Sequence, residues 1–261
     1  MHIIVCAKLI TDPEAPASAY KVDSETKRVV LKGIPPVIST FDESALEAAL
    51  RIKDAHECTI TVISAGRNLS KPTLIKCLAA GADQLILLED STLDNVDSHC
   101  TADILTAAIK KIGEFDLILT GLQAADTNAG IVGSSIAENL GLPSITECRK
   151  IEINDGLAIV ERVVDDGVDV IEASLPVLVT MTNDVGELRS VPLKELLAAQ
   201  QKPITVWKAD ELEVAASQSG ETHLVNLFLP QRDIECQIIE GESEEEKGAN
   251  LALRLKEEEA I

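Results

Sequence analysis

The first half of the chain alternates short apolar runs with stretches in which apolar residues recur every three or four positions. Short apolar runs are typical of parallel strands buried on both faces, and the longer spacing is typical of helices packed on a sheet. The runs predict strands at 2–8, 58–64, 84–88 and 116–120, and the spaced stretches predict helices at 43–54, 70–80, 101–112 and about 130–141. This order predicts an α/β fold with a doubly wound, Rossmann-like, mostly parallel sheet and helices on both faces.

Strand-like alternation of apolar and polar residues replaces the helical spacing after Pro143. Segments 148–153, 158–163 and 168–173 alternate in this way, and two clusters rich in Asp and Gly separate them. The first cluster, Asn154-Asp155-Gly156, fits a tight hairpin turn because Asn, Asp and Gly adopt positive φ at little cost. The pattern predicts β-hairpins added to the sheet, followed by a buried strand at 176–180.

The chain changes character after Trp207. Residues 211–222 are polar and rich in Ala and Ser, which predicts a linker, and an acidic run followed by spaced leucines predicts a short terminal helix. The sequence therefore predicts two parts, an α/β domain at 1–210 and a linker with an extended C-terminal arm at 211–261. The arm is interpreted either as a solvated end or as a segment that packs on a partner.

The charge of the chain excludes several classes of partner. The 261 residues include 44 acidic and 23 basic residues, a net charge of −21, and 2% of them are aromatic. Nucleic acids and anionic membranes attract basic surfaces, and single strands also stack on aromatic faces, so both are excluded as partners. No apolar run approaches the roughly 20 residues that span a bilayer, and the amino terminus lacks a basic signal region. We therefore expect a cytoplasmic protein without membrane insertion.

Cysteine and histidine spacing gives no sign of a metal site. The six cysteines stand singly without a Cys-x-x-Cys pair, and the four histidines share no i, i+4 spacing. We expect reduced thiols, mostly in the core, and no bound metal. The sequence has no Gly-x-Ser-x-Gly motif and no local Ser, Cys and His set, so no catalytic residue is predicted.

The candidate chemistry lies in the loops after the predicted strands, because doubly wound sheets bind ligands beyond the carboxyl ends of strands where strand order reverses. The most informative loop, 121–133, runs through small residues into a helix. Free amides at a helix start attract phosphate, and Ala129, Gly130 and Gly133 leave them unshielded, which predicts a nucleotide pyrophosphate at 127–130. The same residues also suit a tight strand-to-helix turn, and Asp126 fits either a ribose acceptor or a helix cap.

Several blocks of residues together resemble the beta, or small, subunit of electron-transfer flavoproteins. The blocks occur in the family's order and span nearly the whole chain. They are Val5-Cys6-Ala7-Lys8, Phe41-Asp42-Glu43 with the helix that follows, Cys77-Leu78-Ala79-Ala80-Gly81-Ala82-Asp83, Gly121-Leu122-Gln123-Ala124-Ala125-Asp126, Val132-Gly133, 136–143, Val160-Glu161-Arg162, 175–180 and Gly241-Glu242.

The resemblance implies a subunit that pairs with a larger alpha subunit and relays electrons between a flavin-dependent dehydrogenase, of the acyl-CoA dehydrogenase type, and a redox partner. It implies an FAD carried mainly by the alpha subunit and, in this chain, either AMP or a second FAD, the latter in electron-bifurcating members. The C-terminal arm then packs on the alpha subunit. The implied nucleotide-binding residues are Cys6, Ser39, Thr40, Phe41, Asp42, Ala65, Gly121, Gln123, Ala124, Asp126, Thr127, Asn128, Ala129, Gly130, Ile131 and Val132.

Three positions depart from the family's pattern. The family commonly has an acidic residue, a small hydroxyl residue and a Gln where this chain has Asn128, Ala129 and Ile131. Backbone amides then remain as the main phosphate donors. AMP, FAD and a structural site without nucleotide are all compatible with this change, and a bound nucleotide is favoured because the small residues still admit a pyrophosphate.

The resemblance also implies that the segment after the last buried strand recognises the dehydrogenase. This segment is 183–189 with a helix at 193–199, and we expect Leu188 and Arg189 to be exposed partner contacts. The leucines Leu193, Leu196 and Leu197 are equally well interpreted as one buried helical face. The family's basic run after this helix is reduced here to Gln200-Gln201-Lys202.

A second interpretation is an adenine-nucleotide sensor, similar to universal stress proteins, on the same kind of sheet and without electron transfer. It predicts a colourless homo-oligomer, whereas the first interpretation requires a flavin-bearing partner chain.

Overall fold

A computed structural model describes residues 1–94, 96–212, 222, 224–230 and 236–259. The chain divides into two compact units, Met1–Leu227 and Phe228–Ile261. Most of the predicted linker, 213–221, lies outside the described residues.

The first unit contains thirteen strands and five helices among its described residues. The strands are β1 His2–Cys6, β2 Leu9–Ile10, β3 Tyr20–Asp23, β4 Arg28–Leu31, β5 Val37–Ile38, β6 Thr59–Gly66, β7 Gln84–Glu89, β8 Leu117–Gly121, β9 Ser144–Asn154, β10 Leu157–Val164, β11 Gly167–Ser174, β12 Val177–Met181 and β13 Ile204–Trp207. The helices are α1 Thr40–Ala55, α2 Lys71–Ala80, α3 Ser98–Ile112, α4 Val132–Leu140 and α5 Leu193–Ala199. All four predicted helices and all four predicted early strands are confirmed, with ends shifted by a few residues.

Nine of these strands form one sheet in the order β11-β10-β9-β12-β8-β1-β6-β7-β13. The seven strands from β9 to β13 in this order pair in parallel, and β10 pairs antiparallel with both β9 and β11. Two small antiparallel pairs, β2 with β5 and β3 with β4, lie in the connection between β1 and α1. The mostly parallel sheet with added hairpins is therefore confirmed.

The core has two layers because successive residues of each buried strand point to opposite faces of the sheet. Ile3 and Val5 of β1 join one apolar cluster with α1 and α2, and Ile4 and Cys6 join a second cluster with α3 and α4. Strands buried on both faces explain the continuous apolar runs in the sequence. Helices therefore cover both faces, as the sequence pattern predicts.

The turn between β9 and β10 confirms the hairpin prediction. Asn154 pairs with Leu157, which leaves Asp155 and Gly156 as a two-residue turn with φ of 48° and 79°. Both values lie in the left-handed region, where Asp is tolerated and Gly is unstrained. The next turn, at 165–166, connects β10 to β11 at the edge of the sheet.

The second unit contains one helix, α6 Glu244–Glu257, among its described residues. Ser243 caps it by accepting a hydrogen bond from the Glu246 amide at 3.2 Å, and three glutamates occupy the first turn, where the helix dipole favours negative charge. The leucines at 251 and 253 are exposed. The terminal helix with an acidic first turn is thus confirmed. No helix in the described parts of the chain is long and apolar enough to cross a membrane.

Candidate functional site

The strand order reverses between β1 and β8. From β1 the chain proceeds to β6 and β7 on one side, and then it returns to place β8 on the other side of β1. A crevice at the carboxyl ends of the two diverging strands is the place where doubly wound sheets bind ligands. The carboxyl ends of β1 and β8 lie at Cys6 and Gly121, which are both among the sequence-predicted nucleotide residues.

Asp42 joins the two loops at this point. Its Oδ2 accepts a hydrogen bond from the Lys8 amide at 2.8 Å, and its Oδ1 accepts one from the Gly121 amide at 3.0 Å. The residue lies in the first turn of α1, which orients its carboxylate towards both strand ends. The carboxylate is therefore engaged by the protein's own backbone, and its structural role is to hold the β1 and β8 loops together.

Burial dominates the ionisation of the groups around this carboxylate. Asp42 is 8% exposed, and burial raises its pKa to about 7 although the two amide donors and the charge of Lys8 act in the opposite direction. Burial also raises the pKa of the neighbouring Cys6 thiol, and the charge of Asp42 adds to that effect. A thiol with a raised pKa is a poor nucleophile, so Cys6 contributes shape to this site.

Ser39 makes a second set of ties between the same loops. Its amide donates to the Lys8 carbonyl at 2.9 Å, and its Oγ accepts from the Ala125 amide at 3.2 Å. Lys8 is thereby held through both its amide and its carbonyl group. Thr40, the first residue of α1, is exposed, and Phe41 is half-buried beside Gly121.

Two glycines allow the close packing that this site requires. A Cβ at Gly121 would lie 2.5 Å from Oδ1 of Asp42 and 2.7 Å from Cβ of Phe41, and a Cβ at Gly133 would lie 2.6 Å from Oγ1 of Thr120. These distances are too short for any larger residue. Gly121 thus lets α1 contact the end of β8, and Gly133 lets α4 pack directly on the sheet.

Asp126 pairs with Lys8 across the crevice. Oδ1 of Asp126 lies 2.7 Å from Nζ of Lys8, which connects the loop after β8 to the loop after β1. The helix-cap interpretation of Asp126 is wrong, because α4 begins at Val132 and has no side-chain cap. Lys8 lies at the crevice because it follows the buried strand β1 by two residues.

The loop from 122 to 131 exposes backbone amides at its end. Asn128 and Gly130 have φ of 51° and 67°, and the amides of Thr127 and Asn128 donate to the Ala124 carbonyl. Among the described residues, the amides of 129, 130 and 131 have no acceptor. Gly130 would leave open space even around a Cβ, with one neighbouring atom at 3.9 Å. These three amides lie just before α4, and a helix N-terminus attracts anions, so they are candidate donors to a phosphate group.

The other predicted nucleotide residues lie in the loop after β8, at the start of α4 or at the end of β6. Gln123 and Ala124 are half-buried behind the exposed residues of the loop, and Val132 is the half-buried first residue of α4. Ala65 is half-buried near the carboxyl end of β6, the neighbour of β1, and it packs with the same apolar cluster as Cys6. The predicted residues therefore occupy the ends of three adjacent strands and the first turns of two helices.

The predicted partner segment forms a second candidate site. The expectation that Leu188 and Arg189 are exposed is wrong: Leu188 is half-buried against the core, and the Arg189 side chain pairs with Glu47 and Asp54 of α1. A single apolar and a single basic residue after a strand gave no indication of these partners, which lie 142 and 135 residues earlier.

Two of the three leucines of helix α5 are exposed to solvent. Leu193 is 71% exposed and Leu197 is 57% exposed, so the interpretation of α5 leucines as one buried face is wrong for these two residues. Leu196 is half-buried and Ala199 is fully buried. Residues four apart lie on one face of a helix, so Leu193 and Leu197 form a small exposed apolar patch.

The described residues contain no group of three or more His, Cys, Asp or Glu side chains placed to hold a metal ion. The six cysteines are free thiols, and Cys6, Cys77 and Cys148 are buried.

Comparison with protein families gives a match over most of the chain. Residues 27–212 match the model of the electron transfer flavoprotein domain. This range includes α1, the β8 loop and α5, whereas β1 and Lys8 of the crevice precede it.

Three relatives show the extent of the similarity. The caffeyl-CoA reductase-Etf complex subunit CarD of Acetobacterium woodii is 34% identical, and the alignment covers 100% of both chains. The electron transfer flavoprotein subunit beta of Thermoanaerobacterium thermosaccharolyticum is also 34% identical over 100% of both chains. Protein FixA of Azotobacter vinelandii is 33% identical over 97% of this chain and 92% of its own length.

Proposed function

The chain belongs to the electron transfer flavoprotein family, and we propose that it is the beta subunit of a heterodimer that relays electrons between a flavin-dependent dehydrogenase and a second redox partner. The observation that carries this proposal is the similarity, over the whole chain, to relatives named electron transfer flavoprotein subunit beta. The adenine-nucleotide sensor without electron transfer is not favoured, since the relatives are named as electron transfer flavoprotein subunits or as FixA.

The heterodimer pairs this chain with a larger alpha subunit that carries the main FAD. The exposed leucines of α6 support a role for the C-terminal arm in this pairing, because apolar side chains in water gain free energy when a partner covers them. In this proposal the arm packs on the alpha subunit. All six cysteines are free, which suits the reducing conditions of the cytoplasm.

The crevice between β1 and β8 holds an adenine nucleotide, either AMP or a second FAD. The chain fits the group: the free amides of 129, 130 and 131 suit phosphate oxygens, and the open space at Gly130 admits a close approach. Lys8 is the cation in reach of the same loop. An FAD bound here accepts and donates electrons, whereas AMP is a structural ligand.

The position of the ties explains how the chain keeps this site in shape. Asp42 and Ser39 fix the loops after β1 and β8, so the phosphate-binding amides are held before any ligand arrives. Preorganised donors lower the cost of binding. The replacement of polar side chains by Ala129 and Ile131 leaves this backbone geometry as the source of affinity.

The dehydrogenase docks on α5 through Leu193 and Leu197. We propose an acyl-CoA dehydrogenase-type partner. The relative CarD is named as a subunit of a caffeyl-CoA reductase-Etf complex, so in that protein the partner is a reductase whose name also contains a CoA compound. The same name, together with the second nucleotide site, makes an electron-bifurcating complex one form of this proposal. An apolar anchor of two leucines suits a transient complex, since it contributes affinity without a large interface.

The experiment that tests the relay uses the chain co-expressed with its alpha subunit. The purified heterodimer is mixed with an acyl-CoA dehydrogenase and its acyl-CoA substrate under anaerobic conditions, and reduction of the heterodimer flavin is followed by absorbance. The proposal predicts saturable reduction that depends on the dehydrogenase. A chain that purifies as a colourless homo-oligomer and never joins a flavin-bearing subunit would contradict the proposal.

A further inference from the structure

The segment that leads into α5 is fastened to α1 by one arginine. Nε of Arg189 donates to Oε2 of Glu47 at 3.1 Å, one terminal nitrogen donates to Oε1 of Glu47 at 3.2 Å, and Oδ2 of Asp54 accepts at 2.8 Å. The backbone amide of Arg189 also donates to Oε2 of Glu47 at 3.1 Å. We call Arg189, Glu47 and Asp54 the arginine clamp.

The acceptor at the centre of the clamp is buried. Glu47 is 5% exposed, and burial raises its pKa, but the hydrogen bonds and charge of Arg189, aided by Arg51, outweigh burial and leave that pKa below its usual range. The hydrogen bonds that Arg189 donates to Asp54 and Glu47 raise the pKa of its guanidinium in turn. A buried carboxylate that keeps its charge requires cations beside it. Arg189 donates three hydrogen bonds to Glu47 and Arg51 donates one, so Arg189 is committed to α1.

Two further contacts fix the residues just before the clamp. The Ser44 hydroxyl, on the same helix α1, lies 3.2 Å from the Gly186 carbonyl, and Leu188 packs against the core. The segment from 186 to 189 is thus held by a polar contact, an apolar contact and the clamp in succession.

The other end of α5 is fastened by a lysine. Nζ of Lys202 donates to the Leu78 carbonyl, in the last turn of α2, at 2.9 Å and to the Ala82 carbonyl, two residues after α2 ends, at 2.8 Å. The last carbonyls of a helix lack partners within the helix, and a cation there also complements the helix dipole. Ala199 is fully buried where α5 meets α2. We call this contact the lysine cap.

From these contacts we propose that Arg189 and Lys202 are positioning residues, which hold α5 in one orientation so that Leu193 and Leu197 face the dehydrogenase. The inference rests on the proposed function and deepens it. It assigns Arg189 and Lys202, two of the three basic residues in 189–202, to contacts with the chain's own helices. It leaves partner contact to the leucines of α5.

The length of α5 gives the physical reason for two fastenings. A helix of seven residues is too short to be stable alone in water, since isolated helices need roughly 12–15 residues. A docking helix that had to order on binding would lose affinity to that ordering. The clamp and the cap make that ordering part of folding, so the leucine patch is preformed.

The test uses the heterodimer with Arg189→Gln, Arg189→Lys and Lys202→Met. The control is Arg149→Gln, which removes an arginine from another surface pair with glutamate, Arg149 with Glu161. The two readouts are amide hydrogen exchange at 194–199 and the KM and kcat for reduction by the acyl-CoA dehydrogenase. Where Arg189→Gln does not fold, Asp54→Asn replaces it, because Asp54 is an exposed member of the clamp.

For Arg189→Gln we expect about tenfold faster exchange at 194–199 and about a tenfold higher KM, with kcat within about twofold of wild type. Arg189→Lys retains the charge but not the two-pronged guanidinium, so its exchange rate and KM should fall between those of wild type and Arg189→Gln. Lys202→Met should raise the exchange rate and KM by less than Arg189→Gln does. Arg149→Gln should change neither the exchange rate nor KM. Nucleotide content stays unchanged in all of them, because the crevice is fastened by other residues.

The inference is overturned if exchange at 194–199 is unchanged in both Arg189→Gln and Lys202→Met. Where Asp54→Asn stands in for Arg189→Gln, the same criterion applies to Asp54→Asn and Lys202→Met. An unchanged KM alongside faster exchange would also overturn it. Leu193→Ala with Leu197→Ala separates this outcome from failure of the docking proposal. If the leucine pair leaves KM unchanged, docking on α5 is wrong. If the pair raises KM and the arginine and lysine variants do not, positioning by the clamp and cap is wrong.

Discussion

The crevice between β1 and β8 and the surface of α5 use polar side chains in the same way, but they leave different groups available for binding. At the crevice, the side chains of Asp42 and Ser39 hydrogen-bond to the loops after β1 and β8, and the exposed residues 129–131 keep free backbone amides. At α5, Arg189 binds α1 and Lys202 binds α2, and the two leucines Leu193 and Leu197 are exposed to solvent. In the proposed function, the first region binds an anion and the second binds an apolar surface.

Helix α1 serves both regions. Its first turn carries Asp42, whereas Glu47 and Asp54 lie further along the same helix. Charged residues next to a candidate site are thus not necessarily its ligand contacts. In both regions the polar side chains set the geometry, and the groups that remain available are the ones that can bind.

The largest expected effect is a loss of stability when the contact between α1 and β8 at the crevice is disrupted. Gly121→Ala places a Cβ 2.5 Å from Oδ1 of Asp42 and 2.8 Å from the Phe41 backbone, so the tie between α1 and β8 must open. We expect a loss of about 3 kcal/mol or more in the free energy of unfolding, measured by denaturant titration. Gly167→Ala is the matched control, because its Cβ would meet nothing within 4 Å. Equal stability of the two variants would contradict the role given to Gly121.

A pH effect tests the burial of Asp42. Its folded pKa of about 7 lies above the ordinary value of 3.8, so the folded state holds the extra proton and stability falls as pH rises between these values. Between pH 5.5 and 7.5 the wild type should lose about 2 kcal/mol relative to Asp42→Asn, whose side chain does not titrate. Chemical unfolding of both proteins across this range measures the difference.

The charged groups around Asp42 are Lys8 and Asp126, and the Cys6 thiol lies beside it. All three are retained in Asp42→Asn, so their own titration is common to both proteins. A difference between wild type and variant that stays constant across the pH range would show that Asp42 is ionised with an ordinary pKa.

The leucine patch should affect docking and leave the crevice intact. Leu193→Ala with Leu197→Ala is expected to raise KM for the dehydrogenase by about tenfold, which corresponds to about 1.4 kcal/mol. Both side chains are exposed, so the free energy of unfolding should change by less than about 0.5 kcal/mol. Val170→Ala, at an exposed valine of β11, is the control. A fall in nucleotide content in the leucine variant would show that the two regions are not independent.

The smallest expected effect tests the amides that are proposed to bind phosphate. Gly130 has φ of 67° and open space around it, so Gly130→Ala strains the backbone without a clash. We expect a loss of about 1 kcal/mol in stability and a lower nucleotide content, with KM for the dehydrogenase unchanged. Chromatography of the released nucleotide and steady-state kinetics check both parts. A full nucleotide content in this variant would mean that the ligand does not depend on the amides beside Gly130.

The sequence predicts the interior of this fold better than its edges. The central strands are found because burial on both faces produces continuous apolar runs, as in residues 117–120. Strand β13 escapes prediction because it has four residues at the edge of the sheet and is half exposed. The short pairs β2 with β5 and β3 with β4 escape for the same reason, since few buried positions leave little pattern.

The candidate site is predictable in location and not in detail. Strand order and small residues indicate the loop after β8, since both reflect local chain properties. The partners of Arg189 are not predictable in this way, because Glu47 and Asp54 reach it through the tertiary fold. The exposure of Leu193 and Leu197 has the same origin, because periodicity identifies an apolar face without stating whether another element covers it.

The central claim is that the crevice between β1 and β8 holds an adenine nucleotide of its own within the heterodimer. The most direct measurement is the amount of FAD and AMP released per heterodimer after denaturation, determined by absorbance and chromatography. We predict two adenine nucleotides per heterodimer, as two FAD in a bifurcating complex or as one FAD and one AMP in a simple relay. A single FAD without AMP, in a fully assembled heterodimer, would contradict the claim.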